Sequence, residues 1–337
     1  DVVRRTGILV HIGRIKMRNI RAKVAAIQLA TRVGDSAANI ASCERLALQA
    51  VREGASWIAL PEFFNTGVAW DPRLVDAIQT TKGPAAEFLR SFSATHGVIL
   101  GGSFLCRLPD GGVRNRYLCF ADGVLVGQHD KDLPTMWENF FYEPGDPSDD
   151  GVLGTCDNIR IGTALCWEFM RTCTARRLRN QVDVIIGGSC WWSIPTTNIP
   201  NWLRKRWELA NSRNALAAVQ DSACLIGAPV IHAAHCGAVE CPMPGLPLKY
   251  YGYFEGNAAI LDANGQVIAH RTAEEGEGIV SGEISLGSQL NEVALPERYW
   301  LRKTGPLPAF AWHHERWLGR RWYAKNVRNV SGPRRVK

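Results

Sequence analysis

Residues 159–168 read Ile159-Arg160-Ile161-Gly162-Thr163-Ala164-Leu165-Cys166-Trp167-Glu168. The run opens apolar and β-branched, too short for a helix, and predicts a buried strand. It ends on a cysteine, and the Arg/Thr-rich stretch 171–180 beyond it predicts a helix. A thiol at a strand-to-helix turn is well placed for chemistry. Backbone N–H groups point outward there, and a helix N-terminus favours a thiolate and a developing oxyanion. A free cysteine is also among the most buried of residue types. This stretch alone therefore leaves Cys166 open between nucleophile and core filler.

Working outward, strands and helices alternate. Strands are predicted at 23–30, 57–61, 97–104, 183–190, 224–230 and 279–284, and helices at 36–53, 83–93 and 201–219. Ile40, Cys43, Ala47 and Val51 recur at helical spacing, Asp35 or Ser36 can cap that helix, and Gly54 stops it. Two hairpins are predicted, 114–121 with 124–128 across Asp122-Gly123, and 257–261 with 266–270. Short apolar strands separated by helices imply a layered α/β domain with helix-covered sheets. The expected division is a basic extension at 1–22, one domain at 23–285 and a basic, Trp-rich tail at 286–337. The chain begins at Asp1 with its first Met at Met17, so residues 1–16 are expected to lie outside the fold.

Composition narrows the class. The chain has 337 residues, 46% hydrophobic and 21% charged, which is ordinary for a soluble globular protein. No apolar run approaches the roughly 20 residues of a membrane helix. Ten irregularly spaced cysteines without paired metal-ligand spacing argue against a disulfide framework and a zinc site. Reduced thiols and a cytoplasmic location are the simpler expectation. The net charge of +7 is unevenly spread. Residues 1–23 carry +6 and 316–337 carry +8, leaving the body at −7. Basic ends of this kind are usually solvated or packed on a subunit, so neither nucleic acid nor membrane is expected as a partner.

Three residues stand at the exits of predicted strands: Glu62, Lys131 and Cys166. Ligands of α/β folds bind beyond the carboxyl ends of strands. A carboxylate there can take the thiol proton. An ammonium can hold the thiol pKa down and stabilise an oxyanion, and the thiol can attack an electrophilic carbon.

Three stretches in this order, Leu60-Pro61-Glu62-Phe63-Phe64, His129-Asp130-Lys131-Asp132-Leu133-Pro134 and Ala164-Leu165-Cys166-Trp167-Glu168, resemble the nitrilase superfamily, or carbon–nitrogen hydrolases. The resemblance runs from residue 23 to about 284. It implies a four-layer α-β-β-α sandwich with Glu62 as general base, Lys131 as transition-state cation and Cys166 as nucleophile. It also implies an oxyanion contact from the Trp167 N–H, homodimers or larger assemblies, and no metal or organic cofactor. Glu138, seven residues after Lys131, matches the family's second glutamate, expected to orient Lys131 and the attacking water.

Two departures stand out. The family's Pro shortly after the nucleophile is missing from Cys166-Trp167-Glu168-Phe169-Met170-Arg171, so the following helix is expected to start differently. Arg171 then becomes either a solvated helix residue or a ligand for a substrate carboxylate. His129 stands where the family often has Arg, a change expected to be neutral. Trp137, Trp191 and Trp192 are candidate pocket walls. Cys190 is the rival nucleophile. A papain-like site is excluded because none of the eight histidines falls in the required context. The expected reaction is hydrolysis of a small amide or N-carbamoyl compound through a thioester, with nitrile hydrolysis as the alternative and a silent scaffold as the alternative of another class. Trp300, Trp312, Trp317 and Trp322 crowd the tail, which is expected to cross to a neighbouring subunit.

Overall fold

The computed structural model describes residues 20–197, 199–289 and 293–328, so the predicted extension is described only from Ile20. Five strands open the chain: β1 (Ile20–Ala30), β2 (Trp57–Ala59), β3 (Ile99–Arg107), β4 (Val113–Ala121) and β5 (Val124–Asp130). β6 (Val152–Cys156), β7 (Ile159–Gly162), β8 (Val184–Ser189) and β9 (Val230–Cys236) follow. A small ribbon, β10 (Ala238–Pro242) and β11 (Lys249–Tyr253), precedes β12 (Gly256–Leu261), β13 (Val267–Thr272) and β14 (Gly278–Leu286). The α-helices are α1 (Ser36–Arg52), α2 (Pro84–His96), α3 (Thr172–Leu178), α4 (Asn201–Ile226) and α5 (Pro306–Tyr323).

Two leaves meet at β1. On one side the order is β5-β4-β3-β2-β1, with β14 antiparallel on the other edge of β1. The second leaf runs β6-β7-β8-β9, with β12 and β13 beyond β9. The end of β1 pairs with β9 in parallel, Gln28 opposite Ala234, which joins the leaves. Strand alternation then sorts the side chains. Val24 and Ala26 point between the leaves, onto a core shared with Ile161, Ile186, Ile231 and Ile260. Ala25, Ile27 and Leu29 point the other way, onto residues of α1 and α2 such as Leu46 and Leu89. Ile185 and Val230 on the second leaf meet α3 and α4 through Ala175, Leu178, Val219 and Ala223. This is the α-β-β-α sandwich that the motifs implied. The two hairpins form where predicted, and Asp35 is the residue that caps α1, accepting from Ala38 N at 3.1 Å.

Two expectations are corrected. The stretch 224–230 is not one strand: α4 continues through Ile226, whose apolar face runs on through Ala218, Ser222 and Ile226, and Gly227 ends it at φ +78°. An apolar run fits a buried helix turn as well as a buried strand, and length decided for the helix. The strand at 159 stops at Gly162, short of the expected Leu165, and a 3₁₀ turn at Cys166–Met170 leads into α3, which lies within the helix predicted over 171–180. The tail, over its described residues, packs on its own chain. Trp312 stacks on Trp167 at 5.4 Å, Trp322 packs edge-on against Trp70, and Leu301 N donates to Met170 O at 2.7 Å. Trp202 and Trp317 remain 72% and 57% exposed and are still available to a second copy. No disulfide joins any of the ten cysteines, and no helix among the described residues is long and apolar enough to cross a membrane.

β8 runs against the chain leading to Cys166 with no room to spare. A Cβ at Gly187 would sit 2.2 Å from Ala164 O, which is backbone and cannot swing away. Gly187→Ala is expected to lower unfolding free energy by about 1–3 kcal/mol, the range for overpacking, read from the urea midpoint.

Candidate active site

Glu62 follows β2, Lys131 follows β5 and Cys166 follows the strand begun by β7; β2 and β7 are linked by parallel pairings, and two antiparallel steps from β3 through β4 turn β5 the same way, so all three leave one end of the sandwich. They converge. Lys131 Nζ donates to Glu62 Oε1 at 2.7 Å and to both Glu138 oxygens at 3.0 and 2.8 Å. Ligand atoms of Glu62, Glu138 and Cys166 lie within 4.8 Å of one another. Such a donor set has the look of a cation site, but the Lys131 ammonium already stands among these groups and supplies the positive charge.

Every residue in the cluster is held by further bonds. Glu62 Oε1 accepts from Asn115 Nδ2 at 2.8 Å, its Oε2 from Cys190 N at 3.0 Å, and its carbonyl pairs with His235 Nε2 at 2.6 Å. Glu138 Oε2 accepts from Thr135 N at 2.9 Å and from the Tyr142 hydroxyl. The backbone is bent to fit. Phe63, Met136 and Cys166 have φ of +53°, +46° and +49°, a region side chains normally avoid at a cost of order 1–3 kcal/mol each. For Cys166 this bend is the elbow that turns the sulfur toward Glu62. Capping N3 of that turn, Glu168 accepts from Leu165 N at 2.9 Å and from Asp132 N at 3.0 Å.

Burial governs the proton positions. It pushes the Glu62 carboxyl up to about 7; Lys131 pulls it back and Glu138 adds to the rise. Burial disfavours charge on Lys131 too, but the two carboxylates outweigh it and the ammonium keeps its proton firmly. The Cys166 thiol lies well above its usual range, first through burial and then through Glu62, with Lys131 opposing. The expectation that Lys131 holds the thiol pKa down is thus corrected: its pull is real and loses to desolvation. The resting sulfur is a thiol, and it needs a base.

His129 carries a charge of its own. Its Nε2 lies 3.2 Å from both Glu168 oxygens and its Nδ1 2.6 Å from Asp149 Oδ1. Burial lowers its pKa, but the two carboxylates outweigh that and raise it to about 10. A charged imidazole thus braces the elbow from beneath, the place a larger cation would fill. Arg171 does not reach a substrate position. It is fully buried, paired with Asp132, and its guanidinium lies 5.5 Å from the Trp312 ring and 5.9 Å from that of Trp300. Its backbone bridges to Trp300, so the missing Pro leaves a docking point for the tail.

The expected tryptophans do line a cavity, of about 260 Å³. Trp167 adjoins the nucleophile candidate, Trp137 adjoins Glu138, and Trp191 and Trp192 follow Cys190; Tyr250 and Phe310 join them. Glu62, Lys131, Glu138 and Cys166 are not among the cavity's walls; Cys166 is 1% exposed and lies behind its neighbour Trp167. Cys190 offers its N–H to Glu62 and turns its sulfur toward Val68 O at 4.0 Å, away from the ammonium. Its role is to hold Glu62. Asn115, Tyr142, Glu168 and the Cys190 amide escaped prediction because each acts across 4–128 residues of chain with no local motif to mark it.

The carbon–nitrogen hydrolase family profile matches residues 23–289. A nitrilase of Pyrococcus abyssi is 28% identical over 173 residues, 48% of this chain and 63% of that protein, so the match spans less than two thirds of that relative. An aliphatic nitrilase of Rhodococcus rhodochrous is 25% identical over 286 residues, 79% of this chain and 75% of its own. The crystal structure of a carbon–nitrogen hydrolase from Helicobacter pylori superposes with TM-score 0.65 at 20% identity, covering 79% of this chain and 90% of that one, a likeness of fold.

Two stability predictions follow from the charges. Lys131→Met leaves two carboxylates buried without their cation and is expected to cost about 3–5 kcal/mol in urea unfolding. His129 holds its proton up to about 10 in the folded state against 6.5 ordinarily. Its stabilisation is complete below pH 6.5 and is lost as pH rises toward 10. Thermal midpoints taken between pH 7 and 9.5 are expected to fall more steeply for the wild type than for His129→Gln.

Proposed function

The chain belongs to the carbon–nitrogen hydrolase family, and from that premise we propose that it hydrolyses a small non-peptide amide through a thioester on Cys166. The observation that carries this reading is the contact of a firmly protonated Lys131 with Glu62, beside a buried thiol. Glu62 takes the thiol proton, and the sulfur attacks the carbonyl carbon. Lys131 and the Trp167 N–H, in a first turn whose amides lack intrahelical partners, receive the oxyanion. The C–N bond breaks as Glu62 returns the proton to the leaving ammonia or amine. Water, deprotonated by Glu62, then opens the thioester and the acid leaves with the thiol restored. Glu138 holds Lys131 in place throughout.

The cavity limits the substrate. Its walls are mostly apolar, and no Lys or Arg lines it. With Arg171 committed to Asp132, nothing on these walls offers a fixed cation to a carboxylate. This argues against an N-carbamoyl amino acid and for an amide whose body carries no negative charge. A nitrile is the second reading, favoured by the names of the two sequence relatives. There the sulfur adds to the nitrile carbon, and water releases ammonia from the thioimidate.

The purified protein is expected to release ammonia from aromatic and branched primary amides; release from nitriles alone would replace the first reading with the second. Cys166→Ala is expected to abolish turnover, and a wild-type acyl adduct should map to that residue by mass. No ammonia and no adduct from either panel would favour a silent scaffold. The rate is expected to fall below pH about 7 as Glu62 becomes protonated, so kcat/KM should rise across an inflection near that pH.

A further inference from the structure

One carboxylate in the cavity has no part in the chemistry above. Glu315 lies on α5, faces the cavity and is 4% exposed. Its Oε2 has no hydrogen-bond partner, and its Oε1 meets only His314 Nδ1, at 3.5 Å. The other polar groups on these walls are engaged. Asn211 accepts from Trp191 Nε1 at 3.2 Å and donates to Trp192 O and to Glu255, while Ser193 and the Tyr250 hydroxyl bond each other at 3.1 Å. A buried carboxylate oxygen without a donor is costly unless something arrives to satisfy it. Burial raises the Glu315 carboxyl to about 8.

The surroundings define what would satisfy it. Trp137, Trp167, Trp191, Trp192 and Phe310 present aromatic faces and edges, and such walls attract cations when desolvated. No Lys or Arg competes for the carboxylate, and Glu255 stands behind Asn211 to keep the local field negative. We propose that Glu315 selects substrates whose body carries a protonated amine, with the ammonium held between this carboxylate and the tryptophan walls. The inference rests on the reading of this cavity as the acyl-side pocket. It deepens that reading from an amide without negative charge to an amide bearing a positive one.

Binding tests it without turnover. On a Cys166→Ala background, tryptophan fluorescence titrations compare phenethylammonium with 2-phenylethanol, a neutral molecule of similar shape. The ammonium is expected to bind at least about tenfold more tightly, from charge pairing and cation–π attraction together. Glu315→Gln is expected to reduce that preference to less than about threefold, while Glu315→Asp keeps most of it. Retention by Asp separates a lost charge from a disturbed helix. Equal binding of the two probes, or a preference that survives in Glu315→Gln, overturns the proposal. Turnover of 4-(aminomethyl)benzamide against 4-ethylbenzamide by the wild type then joins the two readings. Cation binding without ammonia from either amide would sink the hydrolase assignment and leave the role of Glu315 standing.

Discussion

A single ammonium shared by two carboxylates, with water excluded, is the constraint from which the site takes its form. Lys131 sits at 2.7 to 3.0 Å from three carboxylate oxygens of Glu62 and Glu138. The two carboxylates without the ammonium would be hard to bury. Together the three carry one net negative charge, and the bonds from Asn115, Thr135, Tyr142 and the Cys190 amide spread it. The same balance sets the proposed chemistry. A carboxyl near neutrality beside a reluctant thiol can move one proton back and forth, while the cation stays charged at every stage.

The sandwich exists to make that burial stable. Small residues let the leaves close: Ala26 and Ala59 face inward on adjacent strands, and Gly187 lets β8 run against Ala164. The elbow at Cys166 departs from relaxed backbone, and it is fastened from below by Glu168, with His129 and Asp149 completing a second, separate charge network. Two buried ionic clusters thus lie on either side of the elbow. One faces the sulfur and the other pins the turn that carries it.

How much of this could be read from the chain depended on how local the signal was. Glu62, Lys131, Glu138 and Cys166 each sit in a short run with a recognisable pattern, and the structure brings all four together. The strand and helix alternation was legible because the two faces of β1 differ by one residue in register, Val24 and Ala26 against Ala25 and Ile27. Residues 224–226 misled because an apolar triplet satisfies both a helix face and a strand. The charge of His129 was not legible for a different reason: it is set by Asp149 and Glu168, 20 and 39 residues away. In the tail a dense set of tryptophans says that something will be covered, without saying that Trp167 of the same chain is among the partners.

That last feature separates two jobs along the polymer. The groups proposed to break the bond all lie before residue 170, and one wall of the cavity that receives the rest of the molecule comes from α5, near the end. A ribosome therefore finishes the reactive cluster well before the selecting wall exists. A change in α5 can thus alter that wall without replacing any member of the reactive cluster.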